Sequence, residues 1–269
     1  MVPRDPHFAP AVAELRRTLA AAPQGLPANL LLVSTTDSTN SLARRIVARL
    51  VEEDEEVAEF ALIALHQSGG RGRGGRNWWS PSGAGVYATW VVTMPAEQVG
   101  WLPLRIPLAI CEALNRYLAG RCRIKWPNDL LVGGRKIGGV LIEAVRRSSG
   151  QAEAVIGFGV NHSHESAGLA GLWATCLRNE VDAGAAPTLG DTILAVLGAV
   201  SSALTVPLTS DRLVPAFRSH LVHVAGDTLH LRLGDEKLVG RFVDVDESGF
   251  LLLDVGGETR RVAAGEIVQ

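Results

Sequence analysis

Short apolar runs punctuated by glycine turns, with only a few helical segments between them, predict an α+β fold for this 269-residue chain. Three observations carry the prediction. First, strand-like runs at 60–66, 86–93, 122–126, 130–132, 137–145 and 155–160 follow one another closely, which favours a mixed, mostly antiparallel sheet with helices. Second, Leu130–Val132 and Ile137–Val145 flank Gly133-Gly134, a strong hairpin signal. Third, the texture changes at Val222. Short alternating strands at 228–233, 238–244, 249–255 and 258–263, joined by Gly and Asp turns, suggest a separate small β-barrel. The expected division is therefore a body over 1–221 and a barrel over 222–269.

The elements can be justified in order. Ala9 to Ala22 has helical periodicity and breaks at Pro23; Leu30 to Ser34 is a short strand. In the hydroxyl-rich turn Thr35-Thr36-Asp37-Ser38-Thr39-Asn40, Asp37 or Ser38 can cap the helix that Leu42, Ile46, Val47 and Leu50 trace at 3–4 spacing. The acidic run Glu52–Glu56 is a solvated connection. Further helices run roughly from Trp101 to Leu118 and over 190–204 and 211–221. The longest apolar stretch, Thr192 to Leu208, contains Ser201, Ser202 and Pro207 and follows Asp191. It is short for a membrane span and fits a buried helix with Asp191 near its N-cap.

Composition narrows the function. A chain with 47% hydrophobic and 20% charged residues has a real core, and a net charge of −2 argues against a nucleic-acid binder of the basic kind. The N-terminus lacks the apolar core of a signal peptide. Cys111, Cys122 and Cys176 stand far apart, with neither a disulfide framework nor zinc-ligand spacing, so free thiols in a reducing cytoplasm are expected. His162 and His164 form an H-x-H pair with no third ligand nearby in sequence, so no metal site is assigned.

Positive charge is local. In Gln67-Ser68-Gly69-Gly70-Arg71-Gly72-Arg73-Gly74-Gly75-Arg76-Asn77-Trp78, five glycines interleave with three arginines. Glycine lets successive N–H groups converge on an anion, and arginine adds planar donors that match phosphate or carboxylate. The segment fits neither the P-loop nor the dinucleotide fingerprint. Lysine usage is the second signal. Only three of 26 basic residues are lysines, and two of them, Lys125 and Lys136, fall within Lys125-Trp126-Pro127-Asn128-Asp129 to Arg135-Lys136. A chain biased to arginine that keeps lysine there suggests a need for the compact ammonium.

Taken together, the loop and four further blocks resemble the biotin–protein ligases. The blocks are Asp37-Ser38-Thr39-Asn40, Lys125-Trp126-Pro127-Asn128-Asp129, Arg135-Lys136-x-x-Gly139 and Gly157-x-Gly159-Val160-Asn161, all in the family's order. Ala174-Thr175-Cys176-Leu177 and Ala264-Gly265-Glu266 also look familial. The resemblance implies a class II synthetase-like biotin/lipoate ligase fold with an SH3-like C-terminal barrel. It implies an enzyme that makes biotinyl-5′-AMP from biotin and ATP with Mg²⁺, then passes biotin to a lysine of a biotin carboxyl carrier protein or carboxylase subunit.

The same resemblance assigns roles. Ser38, Thr39, Asn40, Gln67, Gly70, Arg71, Lys136 and Gly139 would contact biotin. Arg73, Arg76, Trp78, Asn128, Lys136 and Asn161 would contact ATP or the adenylate, with Trp78 as the adenine platform. Lys136, Arg71 and Asp129 would be catalytic, although a Lys125–Asp129 ion pair is an equal reading for Asp129. Ordering of the glycine-rich loop over the intermediate would keep water out. Gly85 departs from the family's usual Asn. About thirty residues precede the first strand, too few for the winged helix-turn-helix of bifunctional members, so neither DNA binding nor repression is expected. A homodimer through the sheet edge stays open. The rival readings are a lipoate or octanoate ligase and a non-catalytic biotin-binding regulator.

Overall fold

The computed structural model describes Arg17, Leu19 and residues 26–147, 149–164, 173–182, 184–206 and 209–268. The helix expected over Ala9–Ala22 and the apolar stretch's end at Pro207-Leu208 lie outside these residues, Arg17 and Leu19 apart. Seven strands form the main sheet: β1 (Asn29–Thr36), β2 (Phe60–Gln67), β3 (Gly85–Pro95), β4 (Cys122–Lys125), β5 (Asp129–Val132), β6 (Arg135–Arg146) and β7 (Gln151–Asn161). Their order is β1-β2-β3-β7-β6-β5-β4, antiparallel except for β1 on β2. The helices are α1 (Thr39–Glu52), α2 (Leu102–Leu118), the one-turn α3 (Leu177–Glu180), α4 (Leu189–Thr205) and α5 (Ser210–His220). Among the described residues no helix is long and apolar enough to cross a membrane.

The period-2 pattern of the central strands sorts side chains onto two faces. Ala61, Ile63, Leu65, Ala88, Trp90, Ile156 and Phe158 join residues of α2, α4 and α5 in the principal core. Phe60, Leu62, Val91 and Val155 meet Ala43 and Val47 of α1 on the other face. Among the described residues the sheet is thus covered thickly on one side and by α1 alone on the other. The candidate site occupies what α1 leaves open.

Five more strands, β8 (Thr228–Leu233), β9 (Glu236–Val245), β10 (Leu251–Val255), β11 (Glu258–Val262) and β12 (Glu266–Val268), form a second sheet in the order β11-β10-β9-β8-β12. The expected C-terminal β-unit is present as this five-stranded antiparallel sheet; β11 and β12 are its two edges. It shares the principal core through Leu229, Leu231, Phe242 and Leu253. Trp126 donates its indole N–H to the Gly249 carbonyl at 3.2 Å, a second tie between the sheets.

Local expectations were refined at several points. Gly133 and Gly134 both have positive φ (56° and 77°), as a two-residue hairpin turn with right-handed twist requires. Ser38 is the N-cap of α1 but makes no side-chain capping bond, while Asp37 is held bidentately by Arg45 at 2.7 and 2.8 Å. Arg45 keeps the Asp37 carboxyl well below its usual range. In α4 the cap is Thr188, and Asp191 closes a capping box with it.

Candidate active site

One cavity opens on the α1 face of the main sheet. Its inner end is built from the N-terminus of α1. Ser38, Thr39 and Asn40 are all buried, and the polar groups there are knitted together. Gln67 Oε1 accepts from the Thr39 N–H (2.8 Å) and hydroxyl (3.1 Å), and Gln67 Nε2 donates to Ser80 Oγ at 2.8 Å. Asn40 Nδ2 donates to Leu141 O and Glu143 Oε2, and its Oδ1 accepts from Thr89 at 2.7 Å. Asn40 therefore fixes α1 to β3 and β6 as well as lining the cavity.

Glycine at two positions of β7 makes room for this arrangement. A Cβ on Gly157 would stand 1.8 Å from Asn40 Oδ1, and one on Gly159 would stand 2.7 Å from the Trp78 ring. Gly85 is similarly confined, because a Cβ there would meet Val160 O at 2.6 Å, so the departure from Asn is a packing requirement of this chain. Gly70 does not line the cavity. Its missing side chain lets the Trp78 carbonyl approach, where a Cβ would be only 2.3 Å away.

The glycine–arginine segment folds as a small hairpin. Trp78 N donates to Gly70 O (2.8 Å) and Gly72 N to Arg76 O (2.7 Å), with a 3₁₀ turn at Arg73–Gly75 in which Gly74 and Gly75 have positive φ. Each arginine reaches a different element. Arg71 faces both oxygens of Glu143 on β6 at 3.3 Å, Arg73 donates to Asn128 Oδ1 at 3.2 Å, and Arg76 pairs with Glu266 on β12. Burial pulls the Arg73 pKa down from its usual value, with Asp129 opposing and Arg76 adding to the effect.

Lys136 owes its aim to a β-bulge. Leu130 pairs with Gly138 but Leu131 pairs with Lys136, so Ile137 is an extra residue on β6. The insertion turns Lys136 onto the face of Gly139, where a Cβ would lie 3.3 Å from Lys136 Cε. Lys136 Nζ sits 5.3 Å from the Trp78 ring centroid and 2.6 Å from Asp129 Oδ1. Asp129 is thus ion-paired to Lys136, which corrects the Lys125–Asp129 pairing: the bulge brings Lys136 to it, while Lys125, its cross-strand neighbour, is half-buried. Burial, opposed by Asp129, lowers the Lys125 pKa.

The structure places Ser38, Thr39, Asn40, Gln67, Arg71, Arg73, Arg76, Trp78, Asn128, Asp129, Lys136, Gly139 and Asn161 around this single cavity. Like Asn40 and Gln67, Asn128 and Asn161 spend their amides on protein partners. Asn128 Nδ2 donates to Val140 O at 2.7 Å, and Asn161 Nδ2 to Thr175 O at 2.9 Å. Trp78 Nε1 is buried without a protein acceptor. Sequence reasoning missed Glu143, Thr89 and Ser80, whose roles depend on contacts distant in sequence. Glu143 lies seven residues beyond Lys136 on one strand, the only signal that could have found it. Among the described residues Asp129 is the one carboxylate lining the cavity, and no three His, Cys, Asp or Glu side chains converge. His162 and His164 are both buried; His162 Nε2 lies 2.9 Å from Pro187 O and His164 Nε2 lies 3.3 Å from Tyr87 OH.

Residues 32–161 match the model of the biotin/lipoate A/B protein ligase family, and residues 228–268 that of the biotin protein ligase C-terminal domain. The chain is 31% identical over 254 residues to the biotin–[acetyl-CoA-carboxylase] ligase of Mycobacterium tuberculosis, covering 88% of this chain and 87% of that one. It is 30% identical over 248 residues to the bifunctional ligase/repressor BirA of Escherichia coli, covering 89% and 73% respectively. Among solved structures, the biotin protein ligase of Aquifex aeolicus in complex with biotin and ATP is similar, with a TM-score of 0.68 and 26% identity over 90% of this chain and 98% of that one. On this sequence and structural evidence, the chain belongs to the biotin protein ligase family.

Proposed function

We propose that this cavity adenylates biotin and then hands the biotinyl group to a lysine of an acceptor protein. The observation that carries the reading is the convergence of Arg71, Arg73, Arg76 and Lys136 beside Trp78, with a densely hydrogen-bonded polar pocket at the inner end. In the first step a biotin carboxylate oxygen attacks the α-phosphorus of ATP, and pyrophosphate leaves as the α–β bridging bond breaks. Two anions must be brought together, so preorganised positive charge is the main requirement.

Ser38, Thr39 and Gln67 would receive the ureido ring of biotin, with Asn40 bracing them, and Gly70 would let the loop close on it. Arg71 would take the carboxylate from Glu143. Lys136, against Gly139, would exchange Asp129 for the carboxylate and α-phosphate oxygens. Arg73 and Arg76 would meet the polyphosphate, and Trp78 would carry the adenine. Asn128 and Asn161 would shape the adenylate end through the carbonyls they hold. Mg²⁺ would neutralise charge on the phosphates, taking most of its ligands from phosphate oxygens and water with Asp129 the available carboxylate.

In the second step the acceptor amine attacks the acyl carbon and AMP departs. The amine begins near pKa 10.4, and Asp129, freed from Lys136, would accept its proton. The folded hairpin over 70–78 would shield the mixed anhydride from water. We further assign residues 1–221 to this chemistry and 222–269 to an SH3-like unit. The acceptor would be a biotin carboxyl carrier protein or carboxylase subunit in the cytoplasm. The outer edge of β1 is the surface on which two copies would pair.

Biotin-dependent release of pyrophosphate from MgATP, with lipoate and octanoate in parallel, tests the reading. Release with biotin alone supports it. Release with lipoate instead would change the substrate, and biotin binding without release would leave a binding protein.

A further inference from the structure

Glu180 lies outside the cavity, yet its carboxylate is the hub of the network that holds the backbone of Lys136. Oε1 accepts from Arg135 at 2.7 Å and from the Thr175 hydroxyl at 2.6 Å, and Oε2 accepts from Arg121 at 3.1 Å. The Glu180 side chain is only 6% exposed, and Thr175 is buried. A buried carboxylate with two arginines and a hydroxyl is fully satisfied, and each partner is fixed by it in turn.

These partners flank Lys136. Residues 173–175 run alongside the start of β6 as an added parallel segment, bridged at Ala174 and Lys136. Lys136 N donates to Trp173 O at 2.9 Å, and Thr175 N donates to Lys136 O at 2.8 Å. Ala174, between those two bonds, lines the cavity. Trp173 has φ 49°, a left-handed conformation that a non-glycine residue keeps only when its surroundings impose it. From the other side, Asn161 Nδ2 holds Thr175 O. Glu180 therefore grips both strands of the Lys136 clamp, one through Arg135 and the other through Thr175.

We propose that Glu180 is a positioning residue for Lys136, acting through Thr175 and Arg135 without touching substrate. The proposal rests on the adenylation reading above. Its physical basis is that electrostatic stabilisation of a transition state requires the ammonium to be held in place beforehand, and small displacements are costly.

The test uses the full chain and biotin-dependent pyrophosphate release. Glu180→Ala and Thr175→Val should each lower kcat about 10- to 100-fold. Biotin affinity, measured separately by calorimetry, should fall much less than kcat, because the ureido pocket of Ser38, Thr39 and Gln67 is braced by other elements and only the Lys136 contact to the carboxylate is disturbed. The double variant should be no worse than the more damaged single one, since both cut the same link. Thr175→Ser, which keeps the hydroxyl, should restore most of kcat. Wild-type kcat in both single variants, additive losses, or loss of biotin affinity in step with kcat would each overturn the positioning role. Should Glu180→Ala fail to fold, Thr175→Val and Thr175→Ser decide the matter by themselves. If wild type releases no pyrophosphate with biotin, the adenylation reading has failed and the positioning role falls with it, an outcome distinct from wild-type kcat in the variants.

Discussion

Replacing Gly157 with alanine adds one methyl group at the most crowded point of the inner pocket. The new Cβ would lie 1.8 Å from Asn40 Oδ1, 2.5 Å from Cγ and 2.8 Å from Nδ2, so the whole amide must move. An amide at the end of a free side chain would swing away cheaply. This one is held by Thr89, Leu141 and Glu143, and Thr89 is fully buried with no route to water. Leaving the Thr89 hydroxyl without its acceptor costs about 1–3 kcal/mol, and overpacking adds about 1–3 kcal/mol. The lower chain entropy of alanine returns about 0.4–1 kcal/mol. A net loss of about 2–5 kcal/mol corresponds to a fall in Tm of roughly 5–15 °C for a chain of this size. Displacing Asn40 into the cavity should also weaken biotin binding by about tenfold or more. Thermal denaturation and calorimetric titration would read the two effects. Asn40→Ser should be less harmful in the Gly157→Ala background than in wild type, because it removes the collision. Unchanged Tm and biotin affinity in Gly157→Ala would refute the reasoning outright.

Lys136→Ala should reduce adenylate formation by at least about 10²-fold while leaving the far-ultraviolet spectrum and Tm nearly unchanged, since its ion pair is partly exposed; an active variant would remove Lys136 from the mechanism. Arg76→Ala should raise the KM for ATP severalfold, and Glu266→Gln should change it in the same or the opposite direction according to whether the pair aims Arg76 or competes for it; equal KM values in all three proteins would show that neither residue meets the nucleotide. His223 is pushed down to about 4, chiefly by burial and secondarily by Lys125, against an ordinary 6.5. Neutral, it accepts the Trp126 backbone N–H through Nε2 at 3.3 Å. The unfolded chain therefore takes up the proton first, and stability should fall as pH drops from 6.5 towards 4. The urea midpoint of His223→Gln should fall less over that window than wild type; parallel curves would assign the effect elsewhere, His162 and His164 being the other histidines whose burial lowers their pKa.

Much of the architecture was legible because it depends on local rules. Continuous apolar runs located the central strands, alternating ones located the strands after Val222, and Gly133-Gly134 located the hairpin. Boundaries slipped where pairing overrides pattern. β7 begins at Gln151, not Val155, because β3 is long enough to pair along all of it. The short α3 and β12 carry too few residues to announce themselves. In the site, a charged glycine loop with no apolar surface stood out at once. What the loop does was not legible. Its arginines end on Glu143, Asn128 and Glu266, partners set by sheet order and by the second sheet. The Asp129 partnership turned on one inserted residue, Ile137, which no propensity reveals. Gly157 and Gly159 looked like motif letters, and only the packed structure shows which side chains would collide there.

The ion pairs around the cavity have a consequence for how a ligand is admitted. Arg71, Arg76 and Lys136 each already hold a carboxylate, and only Arg73 is held by a neutral amide. Three carboxylates thus offset much of the charge of these four cations, although Glu143 is shared with Arg44. A simple anion such as inorganic phosphate has little to gain by entering, since it would trade one partner for another. A ligand with several anionic groups can replace these partners together, so entry is an exchange. Affinity should accordingly depend only shallowly on ionic strength, and selectivity should follow the number and spacing of negative groups more than their total charge.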